Sequence, residues 1–420
     1  MNKLEAFVYK KVKNNYKLKN FVRNVYQGFY DLLPNYDSQF SYEPIVLPNS
    51  FYGFHDTKPF SDDGSMLLAC RCSIPLRMPT AEDFLEVGFW CGEGFKDWKK
   101  VGETLSWNYH KGCRLQWVAE SNECIYNVFA NGKLRSCINN VVEGSNRLID
   151  WPIDTVSADG RIATSFSYER LQQMMPGYGY VFGDDDAFLE EDIPNKTGLF
   201  LIDLKKNTRE LFLSLKDIAA FKQERSMIGT FHFVTHTEFS PDGRYVSFLH
   251  RWYRGTSRNT RLLVYDMEQK QLFASPTSGM VSHYAWNKIG GIVAYCRVEN
   301  VDSHVYFESA EMNKWKRCGY PKLNSDGHQH FIDNDWFLTD TYPDKWRHCK
   351  LYKVNRKTDE VILLADVKSP KRFVSPDEQH HWKCDLHPRC DAQGRWASFD
   401  SVHTGERSLC VMPLNSIGSE

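Results

Sequence analysis

The segment His236-Thr-Glu-Phe239-Ser-Pro-Asp242-Gly243-Arg-Tyr-Val-Ser-Phe248 indicates the fold of this chain, because its pattern recurs. It runs from a histidine, over two residues to a large side chain, and then through a polar turn into an apolar strand. The same order begins again at His283, His328 and His387, at spacings of 47, 45 and 59 residues. A period of this length is typical of one four-stranded propeller blade per unit.

Three earlier segments extend the series to seven units. They begin at His55, Arg114 and Ile153. Short strands rich in aromatic and β-branched residues, with Asp-Gly or Gly-Gly turns between them, support this division. The sequence therefore predicts an all-β fold, a seven-bladed β-propeller over residues 46–420, with a short helical extension over residues 1–45.

The repeat also predicts a site. Equivalent positions of successive blades lie on a ring around the central channel. The histidines at positions 236, 283, 328 and 387 are therefore expected to converge, although they are far apart in sequence. The alternative is that each histidine only caps its own strand. Four histidines in phase, one of them three residues after Cys384, favour a shared site.

Composition excludes several classes of function. The 420-residue chain has a net charge of −1, which gives no electrostatic reason to expect nucleic acid as a partner. No apolar stretch approaches the roughly 18 residues that span a bilayer, and the first residues lack the apolar core of a secretory signal. The twelve cysteines are therefore expected to be reduced thiols. We expect a cytoplasmic protein, and a monomer.

Residues 1–45 differ from the blades, because apolar side chains recur there at roughly helical spacing in a basic segment. The apolar positions are Leu4, Phe7, Val8, Phe21, Val22, Val25, Tyr26, Phe29 and Leu33. The basic positions are Lys3, Lys10, Lys11, Lys13, Lys17, Lys19 and Arg23. Packing on the side of the propeller is the preferred interpretation, because Tyr and Asn interrupt the apolar face. Peripheral contact with an anionic membrane is the alternative.

Aromatic, arginine and histidine side chains collect at the predicted blade ends. Such side chains suit a sugar acid, because rings stack on pyranose faces, arginine grips a carboxylate and histidine moves protons. The alternative is that the rings pack the blades. An acidic oligosaccharide or polysaccharide is thus the expected partner. The candidates for binding it are Trp107, Asn127, Arg170, Trp252 and Tyr342.

The order of the motifs resembles that of oligogalacturonate lyases, seven-bladed propellers that cleave uronic-acid oligosaccharides by β-elimination with a metal held by channel histidines. The similar motifs are His236-x-x-Phe239, Ser282-His283-x-x-Trp286 and His387-Pro388. Residues 326–328, 339–344 and 384–389 look closer to ulvan-lyase-like propellers, in which histidine and cysteine bind zinc. The resemblance spans most of residues 51–412.

The chain departs from both patterns. Oligogalacturonate lyases have Gln-x-x-His-x-His where this chain has Trp382-x-x-Asp385-x-His387. Ulvan lyases use two histidines in an early blade, whereas this chain has His110 and places Asn127 where the second would be. The first departure implies a different set of metal ligands, and the second affects the expected reaction more than the fold.

The resemblance implies a metal site and a lyase mechanism. The implied ligands are His283, His328, Cys384 and His387, which favour Zn²⁺, with Mn²⁺ as the alternative metal and His330 as the alternative to His328. The implied catalytic residues are His110, Tyr178, His236, His250 and Arg251. The arginine would neutralise a uronate carboxylate, one of the histidines at 236 and 250 would take the C5 proton, and the tyrosine would protonate the leaving oxygen.

Two other functions stay open. A non-catalytic glycan-binding or scaffold propeller is favoured by the missing second early histidine. A glycosidase would need a pair of carboxylates, for which Asp340 and Asp344 are the candidates, although such acids more often cap loops.

Overall fold

Seven antiparallel sheets radiate from a central channel in this computed structural model, which describes residues 16–255, 257–377 and 379–415. The predicted all-β fold with seven blades is therefore confirmed. Two short strands, β1 (Gln39–Phe40) and β2 (Ile45–Pro48), precede the first blade.

The first three blades follow in chain order. Blade one contains β3 (Ser50–Phe51), β4 (Leu67–Arg71), β5 (Leu85–Cys91) and β6 (Asp97–Thr104). Blade two contains β7 (Gln116–Trp117), β8 (Glu123–Ala130), β9 (Lys133–Asn140) and β10 (Asn146–Ile149). Blade three contains β11 (Ile162–Ser165), β12 (Gly198–Asp203) and β13 (Thr208–Ser214), and an isolated bridge from Val156 to Ala163 extends it towards the channel.

The later blades are more regular. Blade four contains β14 (His232–Phe239), β15 (Tyr245–Arg254), β16 (Ser257–Asp266) and β17 (Gln271–Ala274). Blade five contains β18 (Val281–Trp286), β19 (Ile292–Val298), β20 (Val301–Phe307) and β21 (Trp315–Arg317). Blade six contains β22 (His330–Phe331), β23 (Trp336–Asp340), β24 (His348–Asn355) and β25 (Val361–Lys368). Blade seven contains β26 (Arg389–Cys390), β27 (Trp396–Ser401) and β28 (Ser408–Pro413).

The two strands before blade one complete sheets at the other end of the chain. β2 pairs with β28, with Ile45 opposite Val411, and so supplies the fourth strand of blade seven. This pairing closes the ring by joining its first and last parts, which removes strand edges that could pair elsewhere. β1 adds a fifth strand to blade six, with Gln39 opposite Asp366. The segment predicted as a helical extension therefore ends in strands.

The turn that recurs in the sequence has the same hydrogen bonds in three blades. In blade four, Oγ of Ser240 donates to Asp242 at 2.5 Å, and the backbone of Gly243 is left-handed with φ of 73°. Ser157 with Asp159 and Ser61 with Asp63 form the same bond at 2.6 Å. The aspartate accepts hydrogen bonds in the turn, and glycine adopts positive φ at no steric cost, so this short sequence selects a tight turn.

The core lies between neighbouring blades. Leu249 and Val264 of blade four, for example, pack against Tyr284 and Ile292 of blade five in one buried cluster. Full burial of such a side chain contributes about 1.5–3 kcal/mol. Neighbouring blades are therefore held together by apolar contacts.

Three α-helices are present in the described residues: α1 (Tyr16–Tyr30), α2 (Tyr168–Met174) and α3 (Leu215–Ala220). Short 3-10 turns occur at Glu93–Phe95, Arg225–Met227 and Lys371–Phe373. The predicted helical positions Leu4, Phe7 and Val8 lie outside the described residues. None of the helices that the structure describes is long and apolar enough to cross a membrane.

The carboxylate of Asp184 caps α2. It accepts hydrogen bonds from the backbone N–H groups of Tyr168 at 2.9 Å and Glu169 at 3.1 Å, and from the hydroxyl of Ser167 at 3.2 Å. Burial raises the pKa of Asp184 to about 6. The helix that it caps leads to Met175 and Tyr178, which lie beside the channel.

Candidate active site at the mouth of the channel

The four histidines in phase converge at one end of the channel. The ring centroids of His283 and His328 are 4.1 Å apart, those of His328 and His387 are 4.2 Å apart, and those of His236 and His283 are 6.0 Å apart. Each lies in the inner strand of its blade or just before it. The convergence that the repeat predicted is therefore present.

Phe54 fills the centre of this ring of histidines. Its ring centroid lies 4.8 to 5.9 Å from those of the four histidines. It also lies 4.4 Å from that of His55 and 5.2 Å from that of His110, two histidines from earlier parts of the chain. Six imidazole rings thus surround one buried phenyl ring, which gives this end of the channel a tightly packed floor.

The backbone is irregular at three of these histidines. β-Bulges interrupt β14 at His236 and β18 at His283. His236 and His387 also have left-handed backbone conformations, with φ of 55° and 44°. A left-handed conformation costs a non-glycine residue about 1–2 kcal/mol, and bulges often redirect side chains next to functional sites. The convergence is therefore held at a cost in backbone energy.

Asp340 and Gly53 orient two of the imidazole rings. The carboxylate of Asp340 accepts hydrogen bonds from Nδ1 of His328 at 2.8 and 3.0 Å, and from the backbone N–H groups of His328 at 2.7 Å and His387 at 3.0 Å. Nδ1 of His387 donates to the carbonyl of Gly53 at 2.6 Å. Because both partners only accept, each ring carries a proton on Nδ1, and Nε2 is the nitrogen left for another partner.

Four side chains at this end form a group that fits a metal ion. His110, His328, Asp385 and His387 each place one donor atom within 4.8 Å of the others, and all four residues are buried. Among the described residues, both ring nitrogens of His110 and the Nε2 atoms of His328 and His387 have no hydrogen-bond partner. Leaving such atoms unpaired is costly, and a cation would satisfy them. Metal-binding histidines also typically donate their second N–H to a carboxylate or carbonyl.

The charges in this group also suit a metal. Burial lowers the pKa of His110 and His387 well below the usual value, and the neighbouring histidines lower it further. Both rings are therefore neutral at pH 7, which is the form that binds metals. Burial on its own raises the pKa of Asp385, but Lys383, 2.7 Å away, and nearby histidines bring it below the usual value. The group combines neutral imidazoles with an anionic oxygen.

The predicted ligands fall into two sets. His328 and His387 belong to the donor group. His283 packs against His328 but lies outside the group, with its Nδ1 3.3 Å from the carbonyl of Gly327. His330, the alternative ligand, has its Nδ1 2.8 Å from the carbonyl of His55 and also lies outside the group.

Asp385, not its neighbour Cys384, supplies a donor from the segment before blade seven. Cys384 packs with Phe373 and Val402 in a small apolar cluster, and burial raises the pKa of its thiol to about 12. Successive side chains of an extended segment point to opposite sides. The thiol of Cys384 therefore points into the packing between blades, and the carboxylate of Asp385 points to the channel. The predicted preference for zinc depended on this thiol as a ligand, so that support is lost.

Arg251 is buried near His236, His283 and Tyr178, whose pKa values its charge lowers, and it forms no ion pair in the described part of the chain. Its Nη1 is 2.9 Å from Sδ of Met175, and its Nε has no hydrogen-bond partner there. Arg258 approaches the same sulfur at 3.7 Å. Burial, together with the charge of Arg258, lowers the pKa of Arg251 to about 9. Two guanidinium groups that approach one thioether are suited to an anionic ligand.

Two tyrosines and a lysine form the half-buried rim above the histidines. The Tyr178 ring packs on His110 with 4.4 Å between centroids, and the Tyr342 ring lies 5.7 Å from that of His328. The ammonium of Lys383 lies over Tyr342 at 4.4 Å from its centroid. Predicted residues Tyr178 and Tyr342 are thus brought to the channel mouth, together with a cation that favours an acidic ligand.

His236 and His250 were predicted to face one pocket, but the structure separates them. His236 contacts Phe54, and its Nε2 has no partner within the described ranges, while its Nδ1 is 2.9 Å from the hydroxyl of Thr235. Both nitrogens of His250 are occupied, by His232 at 2.8 Å and by Arg261 at 3.0 Å. His250 and Arg251 are neighbours in β15, so they point to opposite faces of the sheet.

Four of the predicted substrate-binding residues instead pack the interior. Trp252 is fully buried against His250, and Trp107 is buried with its indole N–H donated to the carbonyl of Asp83. Asn127 uses its amide for hydrogen bonds to Ile153 and Tyr180. Arg170 donates to backbone carbonyls, including that of Glu191 at 3.0 Å, and pairs with Asp186. Their polar groups are committed to the blades or enclosed, so the packing interpretation describes these positions.

Phe54, His55, Asp340 and Asp385 were not predicted as parts of the site. His55 begins the first repeat and could have been aligned with the later histidines. Asp385 lies within the Cys384–His387 motif, next to the residue that was chosen. Asp340 was considered only as a glycosidase acid; its oxygens instead hold His328 and His387, and Asp344 caps its own loop through the backbone N–H groups of residues 346 and 348.

Comparisons with known proteins identify the fold. No protein-family model matches this sequence, and no curated protein matches it. An oligogalacturonate lyase from Vibrio parahaemolyticus matches with a TM-score of 0.58 at 11% identity, over 91% of this chain and 99% of that one. The tricorn protease matches with a TM-score of 0.50 at 11% identity, over 91% of this chain and 34% of that one. At such identities the likeness concerns the propeller fold alone.

Proposed function

We propose that this protein is a metal-dependent lyase that cleaves a uronate-containing glycan by β-elimination at the channel mouth. The observation that carries the proposal is the juxtaposition of two unusual features. A group of buried imidazoles has unpaired nitrogens, and a buried arginine, close enough for its charge to lower the pKa of His236 and His283, has no ion-pair partner among the described residues. The first suits a cation, and the second suits the carboxylate of an acidic sugar.

His110, His328, His387 and Asp385 would hold the metal. Three imidazoles and a carboxylate suit several divalent transition metals, Zn²⁺ and Mn²⁺ among them. A bound divalent cation supplies positive charge that stabilises the anion formed when a proton is lost next to a carboxylate. Asp340 positions the ring of His328 for this task, because it fixes the proton on Nδ1.

Arg251 would bind the uronate carboxylate. Its guanidinium has donors to spare, since its Nε has no hydrogen-bond partner among the described residues and its Nη1 contacts the thioether of Met175, a weak acceptor. Pairing with a carboxylate would relieve the cost of a buried, uncompensated charge. It would also make the proton at C5 easier to remove, because negative charge that spreads onto the carboxylate in the transition state meets a fixed positive charge. Arg258 adds to the positive field around Arg251.

His236 is the proposed base and Tyr178 the proposed acid. Their ring centroids are 6.4 Å apart, so both side chains face one space. When Nδ1 of His236 donates to the hydroxyl of Thr235, its unpaired Nε2 has a lone pair for the proton. The phenol of Tyr178 carries a proton at neutral pH and can give it to a departing oxygen.

The reaction balances without a co-reactant. His236 takes the proton from C5 of the uronate, and the electron pair left behind forms a double bond between C4 and C5. The glycosidic bond between C4 and oxygen breaks, and the oxygen takes a proton from Tyr178. The products are an unsaturated uronate and a shortened glycan with a free hydroxyl group, so no oxidant or reductant is required.

The test is incubation of the metal-loaded protein with a panel of uronate oligosaccharides, followed by the ultraviolet absorbance of the unsaturated product. We expect product, and we expect a chelator to abolish it until Zn²⁺ or Mn²⁺ is added. Arg251→Ala is expected to lower the rate by about 10²–10³-fold, as does removal of one charge-stabilising donor. Tyr178→Phe keeps the ring that packs on His110 and removes only the hydroxyl.

Arg254→Ala is the matched control, because Arg254 is exposed and lies three residues farther along the same strand. Its rate should equal that of the parent. Near-parental rates for both Arg251→Ala and Tyr178→Phe would overturn the mechanism. Absence of product with every uronate in the panel, while the glycans still bind, would instead support the non-catalytic glycan-binding propeller.

A further inference from the structure

Helix α1 turns its apolar side chains away from the propeller. Phe21, Val25 and Phe29 follow one another at intervals of four residues, so they lie on one face of the helix. These three and Leu32, just beyond the helix, are 59% to 83% exposed. A helix on the surface of a globular protein normally shows the opposite arrangement, with its apolar face against the core.

The opposite face of α1 is held on blade six by polar contacts. Gln27 is buried, and its Nε2 donates to the carbonyl of Asp344 at 2.7 Å. Asp31 pairs with Arg347 through two contacts of 2.6 and 2.9 Å, and Arg347 also donates to Oε1 of Gln27 at 3.1 Å. The Tyr30 ring packs edge-on against Trp346 with 4.5 Å between centroids. These contacts hold the helix in a rotation that keeps its apolar face outward.

The helix is attached at the end of the propeller where the histidines converge. Residues 343–347, which it contacts, belong to the loop between β23 and β24. That loop follows Asp340, which holds His328, and it includes the rim residue Tyr342. A surface that binds the apolar face of α1 would therefore lie at the mouth end of the channel.

The charge of this region indicates what binds there. Residues 1–30 contain seven basic residues and a single acidic one, Glu5. The basic residues are Lys3, Lys10, Lys11, Lys13, Lys17, Lys19 and Arg23. An exposed apolar helical face in a strongly basic segment is the combination that binds in the interface of an anionic bilayer, since apolar burial and electrostatic attraction act together.

We propose that α1 is an interfacial anchor that holds the mouth end of the propeller against an anionic phospholipid bilayer. The proposal stands on the helix and its charge, and it is independent of the lyase activity proposed above. Its consequence is that the channel mouth is kept close to the bilayer surface, so that a ligand at that surface is presented to it.

The experiment is co-sedimentation of the full chain with vesicles of phosphatidylcholine alone, or of phosphatidylcholine with phosphatidylglycerol. We expect binding to the anionic vesicles to be at least about 100-fold tighter, since several basic residues are attracted to such a surface together. High salt should weaken it. Phe21→Ser/Phe29→Ser is expected to lower the partition coefficient by roughly 10–100-fold, because the transfer of two aromatic rings is lost.

Ile289→Ser is the matched control, because Ile289 is an equally exposed apolar residue in blade five. It should bind vesicles like the parent. Both exposed-site variants should keep the parental unfolding midpoint, so a loss of binding would not reflect unfolding. Equal binding of parent and double variant, or no preference for anionic lipid, would overturn the proposal. The proposal would also be overturned if the parent does not bind vesicles and sediments as a dimer, and the double variant sediments as a monomer. The apolar face would then join two copies of this chain.

Discussion

Replacing Asp340 with asparagine tests whether the histidine group is a metal site. The carboxylate accepts hydrogen bonds from three N–H groups, on the ring and backbone of His328 and on the backbone of His387. In Asp340→Asn, the remaining oxygen can take the place of Oδ1 and keep both bonds to His328. The amide NH₂ group then faces the backbone N–H of His387, where the two heavy atoms are 3.0 Å apart in the parent.

The substitution is expected to lower both the free energy of unfolding and the affinity for metal. Two donors facing each other replace one charge-assisted hydrogen bond in a buried place, which should lower the free energy of unfolding by about 1–3 kcal/mol. The ring of His328 also loses the negative charge that orients it and makes its Nε2 a better donor. Changes at such partners of metal-binding histidines typically weaken metal affinity by about 10–100-fold, which corresponds to about 1.4–2.7 kcal/mol of binding free energy.

The assay is competition between the protein and a chromophoric chelator for Zn²⁺ and Mn²⁺, with denaturant unfolding of the same samples. Asp391→Asn is the control, because Asp391 is another buried aspartate that instead accepts hydrogen bonds in the turn before β27. The control should lose stability without a change in metal affinity. Equal metal affinity in Asp340→Asn and the parent, or an equal loss in both variants, would refute the reasoning.

Three further predictions concern other parts of the molecule. Cys384→Ala should keep its metal by elemental analysis and lose about 1 kcal/mol of stability through the small cavity left behind; loss of the metal would restore the thiol as a ligand. Arg347→Ala should speed proteolysis near α1, because Asp31 and Gln27 lose their partner, with little change in the unfolding midpoint; unchanged proteolysis would contradict this attachment. Burial raises the pKa of Asp184 from 3.8 to about 6, so this group stabilises the fold below about pH 4 and loses that effect as the pH rises through 6. The stability of the parent relative to Asp184→Asn should therefore fall by roughly 2 kcal/mol between about pH 4 and about pH 6 in denaturant titrations, and parallel pH profiles would refute the assignment.

The convergence of the histidines around the channel could be predicted, because it depends on a repeated position in the sequence. A residue at one position of the repeat occupies one position in each blade, so the phase of His236, His283, His328 and His387 was enough to predict that they converge. Repetition does not predict the direction in which an individual side chain points. Asp385 and Cys384 are adjacent, and which of them reaches the channel depends on the local path of the chain before β26.

The same limit applies around Arg251. A run of His, Arg and Trp at the end of a strand indicated a site, but alternation along β15 sends His250 and Trp252 into the packing between blades and Arg251 towards the mouth. Polar side chains that were predicted to bind substrate instead form hydrogen bonds with the backbone. Asn127 and Arg170 satisfy carbonyl and N–H groups of neighbouring segments, and such partners are set by tertiary contacts.

The number of blades, the tight turns and the common position of the histidines could be predicted from the sequence, because periodicity and turn chemistry act over a few neighbouring residues. The features that join distant segments are visible only in the folded chain. β2 closes blade seven by pairing with β28, and Phe54 fills the histidine ring. Asp340 fixes two histidines from different blades, and Gln27 holds α1 on blade six with its apolar face outward. These contacts depend on packing between residues that are tens to hundreds of positions apart, and no local pattern encodes them.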